Sequence, residues 1–213
     1  MKTTSALVLP ILLGLASSAS AAVIAGGNGS FETNTTTTAA GPSWGAWGLE
    51  DITINGWTVT KPDGSSFNPS TENAPWFNSN SSGYGSASDG NFFANVEGGV
   101  KWRLSAPITG LTVGNTYTVY FDTSIRSGGG TGDFDVSVNT TVPVGGLDIK
   151  PTTTTWIQQS FNFVADSTIH TLTISNQDTS GAGFMVDNFS VVPEPSTALL
   201  GGLGMLALLR RRR

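Results

Sequence analysis

Short segments of alternating apolar and polar residues recur between residues 28 and 192. Successive side chains of a β-strand point to opposite faces, so such alternation predicts half-buried strands. In the segment 116–124, Tyr117 and Phe121 share one face and Tyr120 lies on the other. The pattern predicts strands at or near 28–32, 52–60, 91–96, 100–104, 116–124, 133–138, 156–163, 169–175 and 184–192.

Eight or nine short strands separated by glycine-rich turns predict an all-β fold, an antiparallel β-sandwich of the jelly-roll kind. A closed barrel is the alternative that the pattern leaves open. The segment 61–90 interrupts the strand rhythm with a long polar stretch, and a loop of that length is usually functional or disordered. Its aromatic residues, Trp76, Phe77 and Tyr84, argue against simple disorder.

The N-terminus predicts a signal peptide over residues 1–22. Lys2 supplies the positive charge before a short apolar run, and Ala19-Ser20-Ala21 supplies small residues for signal peptidase. The run is too short for a membrane span. We therefore expect the β-sandwich domain at 23–192, outside the cytoplasm.

The C-terminus, 193–213, combines three features in a fixed order. Pro193, Glu194 and Pro195 come first, an apolar run (197–209) follows, and the chain ends on Arg210, Arg211, Arg212 and Arg213. The apolar run is 13 residues long. As a helix it would cover about 20 Å of a hydrocarbon core about 30 Å thick, which makes it a marginal anchor.

This order of features resembles the PEP-CTERM sorting signal of exported bacterial proteins. The resemblance implies export and two kinds of partner, the export machinery and a membrane protease of the exosortase type. It also implies transient anchoring in the inner membrane by the C-terminal helix. The expected destination is the cell surface or the extracellular polysaccharide matrix.

Composition and charge narrow the function classes. Without both termini, five basic and fourteen acidic residues remain, a net charge of −9 against −5 for the whole chain. Such a surface repels nucleic acid and anionic polymers, and it favours neutral sugars or divalent cations. The chain has no cysteine, which excludes a disulfide framework and thiolate metal sites.

Three motifs in the body resemble parts of the galactose-binding-like jelly rolls, which include many carbohydrate-binding modules. They are residues 28–32 with the later pair Gly56-Trp57, residues 111–117, and residues 184–191. The resemblance implies a structural Ca²⁺ where the first strand meets the last, held by Glu32 and Asp187. Calcium takes 6–8 oxygen ligands, so further ligands, which the motifs do not identify, are needed.

Catalytic chemistry has little support in the sequence, and no catalytic residue is predicted. His170 is the only histidine, which excludes a multi-histidine zinc site, and we expect it to be structural. Glycoside hydrolysis needs two carboxyl groups across a cleft. Asp133 and Asp135 share a strand face, with Asp122 expected on a neighbouring strand, and a small glycan-active hydrolase stays open on that basis.

Aromatic residues are the better candidates for function, because sugar rings stack on exposed Trp and Tyr faces. The candidate ligand-binding residues lie in loops or on an outward strand face: Trp44, Trp47, Trp76, Tyr84 and Tyr120. Trp57, Trp102 and Trp156 lie within predicted strands and are expected in the core. The sequence thus predicts a non-enzymatic protein of the surface or matrix that contacts polysaccharide. A structural matrix protein without a specific ligand is the main alternative.

Overall fold

A computed structural model describes residues 21–33, 55–61, 63–65, 76–79, 85–97, 103–125, 132–139, 146–176, 183–194 and 210–211. These residues contain eleven strands and one short 3-10 helix, Ala25–Gly27. The strands are β1 (Val23–Ile24), β2 (Thr58–Thr60), β3 (Trp76–Ser79), β4 (Phe92–Glu97), β5 (Arg103–Thr109), β6 (Thr116–Ile125), β7 (Phe134–Val138), β8 (Gly146–Ile149), β9 (Ile157–Val164), β10 (His170–Asn176) and β11 (Gly183–Pro193). All of them belong to one compact unit, residues 20–194.

The strands form two antiparallel sheets. A six-stranded sheet has the order β1-β5-β10-β7-β8, with β2 also paired to β5, and a five-stranded sheet has the order β3-β4-β11-β6-β9. One hydrophobic core is shared by residues of both sheets, as in a β-sandwich. The predicted all-β sandwich is therefore confirmed.

Core packing follows the predicted alternation. In β7 the residues Phe134, Val136 and Val138 are buried while those between them are half-exposed. Phe134 stacks on Phe184 of the opposite sheet with ring centroids 3.9 Å apart. This contact joins the two layers at the first residues of β7 and β11.

The predicted strands at 91–96, 116–124, 133–138, 156–163, 169–175 and 184–192 correspond to β4, β6, β7, β9, β10 and β11, whereas the prediction at 100–104 meets β5 only at its first two residues. The prediction at 28–32 is wrong as a strand, because these residues form a turn after the 3-10 helix. Of the prediction at 52–60, the described part is extended only at β2. Three short strands, β1, β3 and β8, were not predicted, since two to four residues give too little alternation to recognise.

The first and last motifs meet at one end of the core. The Phe189 N–H donates to the Gly29 carbonyl oxygen at 3.1 Å. The indole N–H of Trp57 donates to the Asn28 carbonyl oxygen at 2.8 Å, and Trp57 packs on Phe31 and Phe189. The turn at 28–32 thus closes the sandwich against β11.

Candidate functional site

Most outward side chains of β6, β9 and the end of β11 are polar, although Val164 and Val192 are exposed among them and Asp122 is buried. We call six of them the outer face: Thr118, Tyr120, Asp122, Gln158, Ser160 and Ser190. They come from β6, β9 and β11, whose other sides bury Tyr117, Phe121 and Phe163 in the core. None of these three strands contains Lys or Arg.

Tyr120 lies at the centre of the outer face. Its Cα pairs with Ser190 of β11 on one side and with Ser160 of β9 on the other. The side chain is half-buried, while both serines are exposed. An aromatic ring flanked by hydroxyl groups is an arrangement that can stack on a sugar ring and bond its hydroxyls.

Asp122 continues the same row of β6 and is held by Asn188. The Asn188 Nδ2 donates to Asp122 Oδ2 at 3.1 Å. Asn188 has a φ of 55° and lies where the register of β6 and β11 shifts between Asp187 and Ser190. A bulge of this kind redirects side chains, and here it brings the Asn188 amide to the outer face.

A loop at one end of the outer face is tied to the buried carboxylate of Asp187. We call residues 85–91 the anchored loop. Asp187 Oδ2 accepts hydrogen bonds from Ser88 N at 2.8 Å, Ser88 Oγ at 3.1 Å and Asp89 N at 3.1 Å. Its Oδ1 accepts from Asn188 N at 2.7 Å. Burial raises the pKa of Asp187 to about 6, against the lowering effect of these hydrogen bonds.

Glu32 holds the far end of the anchored loop. Its Oε1 accepts from the backbone N–H groups of Asn91 and Phe92, each at 2.8 Å. Ser30 adds a third tie, since its Oγ donates to Asp89 Oδ2 at 2.7 Å. Both carboxylates of the predicted calcium pair therefore contact the same loop.

Hydrogen bonds in this arrangement already occupy part of the Glu32 and Asp187 carboxylates. Asp187 Oδ2 accepts three hydrogen bonds and Oδ1 accepts one, so a Ca²⁺ ion at this carboxylate would need most of its 6–8 oxygen ligands from other groups. Among the described residues there is no group of three or more His, Cys, Asp or Glu side chains suited to a metal ion. Calcium stays a prediction of the resemblance, to be tested by titration.

Trp156 was predicted to be in the core, and that prediction is wrong, because the residue is half-buried. It immediately precedes β9, and its ring meets Phe93 edge-on, with centroids 6.0 Å apart. Its indole N–H donates to the Ser86 carbonyl oxygen at 2.7 Å, which ties it to the anchored loop. The even-numbered residues of β9 face outward with it, so Trp156 borders the outer face.

The other aromatic candidates are partly beyond the described residues. Trp44, Trp47, Tyr84 and Trp102 lie outside them, and so their roles stay predictions. Trp76 begins β3, and its Cα pairs with Asn95. Trp57 is buried in the core as predicted.

The acidic candidates do not come together. Asp122 belongs to the five-stranded sheet and Asp135 to the six-stranded one, so the expectation that they lie on neighbouring strands is wrong. Asp135 pairs instead with Asp148 of β8. Nearby, Asp133 forms an ion pair with Lys150 at 2.9 Å, and that hydrogen bond holds the pKa of Asp133 below its usual value.

A concavity lies where β8 and β9, the edge strands of the two sheets, approach each other. It is a cleft of about 330 Å³ lined by residues 147–153 with Thr123, Ile157 and Gln159. Its lining combines aliphatic side chains with threonines and the charged residues Asp148 and Lys150, and it contains no aromatic ring. The cleft therefore lacks the stacking platform that the outer face has.

His170 has a full set of structural partners. Its Nδ1 bonds the Asn139 carbonyl oxygen at 3.0 Å, and its Nε2 accepts from Asp166 N and Ser167 N. The ring is 2% exposed. It joins the turn before β10 to the end of β7, in agreement with the predicted structural role.

The predicted sorting residues are only partly described. Pro193 ends β11, and Glu194 follows it with an exposed side chain. Arg210 and Arg211 are exposed, and Pro195, Arg212 and Arg213 lie outside the described residues. No helix within the described ranges is long and apolar enough to cross a membrane, and the apolar run at 197–209 is not among those ranges.

Comparison with known proteins identifies the C-terminal segment. Residues 191–213 match the PEP-CTERM protein-sorting motif. The motif marks an exported, surface-associated protein, as the sequence predicted. No curated protein sequence matches the chain.

Solved structures resemble the β-sandwich. TmCBM61, determined in complex with β-1,4-galactotriose, has 19% identity and a TM-score of 0.50, covering 70% of this chain and 95% of its own. The K1 cleaved adhesin domain of Lys-gingipain from Porphyromonas gingivalis W83 has 12% identity and a TM-score of 0.52, with coverages of 82% and 99%. The K2 domain of Lys-gingipain has 12% identity and a TM-score of 0.51, with coverages of 76% and 96%. At such identities the similarity shows the fold alone.

Proposed function

We propose that this exported protein binds a neutral polysaccharide at the outer face of its five-stranded sheet, without catalysing a reaction on it. The observation that carries the proposal is the half-buried ring of Tyr120 between the exposed hydroxyls of Ser160 and Ser190. Aromatic platforms with flanking hydroxyl and amide groups suit carbohydrate, which has an apolar ring face and a polar rim.

The polymer is neutral because the outer face offers no positive charge. The described residues of β6, β9 and β11 include no Lys or Arg that could pair with a uronate, sulfate or phosphate. The carboxylate among the six residues, Asp122, is buried and already accepts from the Asn188 amide. Hydroxyl and amide groups are what remain to bond a ligand.

The length of the face suits a chain of several sugars. Trp156 lies four residues along β9 from Ser160, the partner of Tyr120. At about 3.4 Å per strand residue, the Cα atoms of Trp156 and Ser160 lie about 14 Å apart along the strand direction. A linear polysaccharide can contact both rings, whereas a monosaccharide contacts one.

Retention on immobilised polysaccharide tests the proposal. The 20–194 unit is passed over neutral glucans, galactans, mannans and the matrix polysaccharide of its host, as wild type and as Tyr120→Ala. We expect retention on at least one polymer that Tyr120→Ala weakens about tenfold or more, while Val113→Ala, which truncates a side chain 57% exposed in a distant turn, binds like the wild type. No retention on any polymer, or equal retention by Tyr120→Ala, would reject the outer face as the binding site.

Two further parts of the function belong to the same proposal. The exosortase-type protease acts on the C-terminal segment, and the polymer partner belongs to the cell surface or extracellular matrix. The sorting motif at 191–213 supports both parts.

A further inference from the structure

The sorting segment begins inside the folded sandwich. Its match starts at residue 191, whereas β11 continues to Pro193. Val191, Val192 and Pro193 pair with Val119, Thr118 and Tyr117 of β6. Four residues of the segment, counting Glu194, therefore belong to the body rather than to the tail.

Glu194 is held by its backbone and by its side chain. Its N–H donates to the Thr116 carbonyl oxygen at 3.0 Å. Its Oε1 accepts from the Asn162 Nδ2 at 2.7 Å. The Asn162 amide is itself oriented, because its Oδ1 accepts from Thr118 Oγ1 at 2.9 Å.

Pro193 fits this arrangement without loss of a hydrogen bond. The Glu194–Thr116 bond makes that position a hydrogen-bonded pair of the antiparallel ladder, and such positions alternate. Pro193, one residue earlier, therefore occupies a non-hydrogen-bonded position opposite Tyr117. A residue without an N–H is tolerated there.

We propose that the sandwich masks the start of its own sorting motif, so that Pro193 and Glu194 must detach from β6 before the processing protease can engage them. Proteins that bind an extended peptide pair with its backbone and read its side chains in pockets. Here the Thr116 carbonyl oxygen of β6 already accepts the backbone N–H of Glu194, and the Asn162 amide already donates to its carboxylate. Local opening of this strand end therefore controls the rate of processing, as opening controls access to other segments of low local stability.

The test measures processing of the full-length chain in an exporting host that has the sorting machinery. Pulse-labelled precursor and product are followed for the wild type, Asn162→Ala and Val164→Ala. Loss of one hydrogen bond to an exposed carboxylate shifts the opening equilibrium about two- to fivefold, and we expect processing of Asn162→Ala to accelerate by that factor. Val164 lies on the same side of β9 two residues further on, and its truncation is expected to leave the rate unchanged.

A second pair of variants separates local detachment from general loss of stability. A flexible spacer of about eight Gly and Ser residues between Val192 and Pro193 frees the Pro-Glu-Pro sequence from β6. In that background Asn162→Ala should have no further effect. An unchanged or slower rate for Asn162→Ala alone, or an equal acceleration in the spacer background, would overturn the proposal.

Discussion

Phe189 and Gly29 come together backbone to backbone where the last strand meets the first motif. The Phe189 N–H donates to the Gly29 carbonyl oxygen at 3.1 Å, and a Cβ built on Gly29 would lie 1.9 Å from the Phe189 carbonyl oxygen. Only glycine allows this approach, because neither backbone can move without disturbing the core contacts of Trp57 and Phe31.

Gly29→Ala is therefore expected to destabilise the domain strongly. We expect a loss of about 3 kcal/mol or more in the free energy of unfolding, measured by urea denaturation. Gly114→Ala is the matched control: its φ of +86° strains any side chain, yet nothing lies within 4 Å of the added Cβ. It should lose about 1 kcal/mol. Equal losses in the two variants would contradict the close approach.

The raised pKa of Asp187 predicts that the free energy of unfolding declines as pH rises from about 4 to 6. Burial raises the pKa of this carboxyl from 3.8 to about 6, so the folded state binds a proton that the unfolded state has already released in this range. Its contribution is complete below pH 4 and is lost above pH 6, and it amounts to at most about 3 kcal/mol. The check is the pH dependence of unfolding for wild type against Asp187→Asn, which cannot ionise. A difference between the two that does not vary from pH 4 to pH 6 would contradict the raised pKa.

Calcium titration tests whether Glu32 and Asp187 bind Ca²⁺ instead of only holding the anchored loop by hydrogen bonds. Because both carboxylates accept backbone N–H groups of residues 88–92, we expect neither Ca²⁺ nor EDTA to change the melting temperature. A rise in melting temperature with Ca²⁺ that Glu32→Gln abolishes would show instead that the anchored loop rearranges to make the predicted metal site. Because Ca²⁺ that binds only the folded state raises its stability, the size of the rise gives the Ca²⁺ affinity.

Asn95 is a position at which an apolar residue should stabilise the protein. Its side chain is fully buried, and within the described part of the chain neither Nδ2 nor Oδ1 has a hydrogen-bond partner. A buried amide without partners costs about 1–3 kcal/mol, so Asn95→Leu should raise the free energy of unfolding by about 1 kcal/mol. Asn28 is the control, because it is also buried but its side chain makes three hydrogen bonds, and Asn28→Leu should lower stability. A loss of stability in Asn95→Leu comparable to that in Asn28→Leu would contradict this reading.

Regular alternation over many residues made most of the sandwich predictable. The segment 116–124 gave β6 with the correct buried side, and Tyr120 could be assigned to the outward face for the same reason. The segment 28–32 was misread because Phe31, although fully buried, sits at a φ of 60° in a turn. Burial alone does not distinguish a strand from a turn that is packed against the core.

The candidate site was less predictable, because pairing between strands decides it. Trp156 looks like a core residue in its own segment, and only the register with β6 and the contact with Phe93 place it beside the outer face. The partners of Glu32 and Asp187 are mainly backbone N–H groups, which no side-chain pattern reveals. Likewise, Asp122 and Asp135 follow each other closely in sequence but belong to different sheets.

Mapping a bound oligosaccharide on the folded protein tests the central claim most directly. The amide resonances of the isotopically labelled 20–194 unit are followed by NMR while a neutral oligosaccharide, cut from the polymer that retains the protein best, is added. We predict shifts centred on Tyr120, Ser160 and Ser190 and extending toward Trp156, with none in Tyr120→Ala. Shifts confined to the cleft between β8 and β9, or no shifts at all at saturating oligosaccharide, would contradict binding at the outer face.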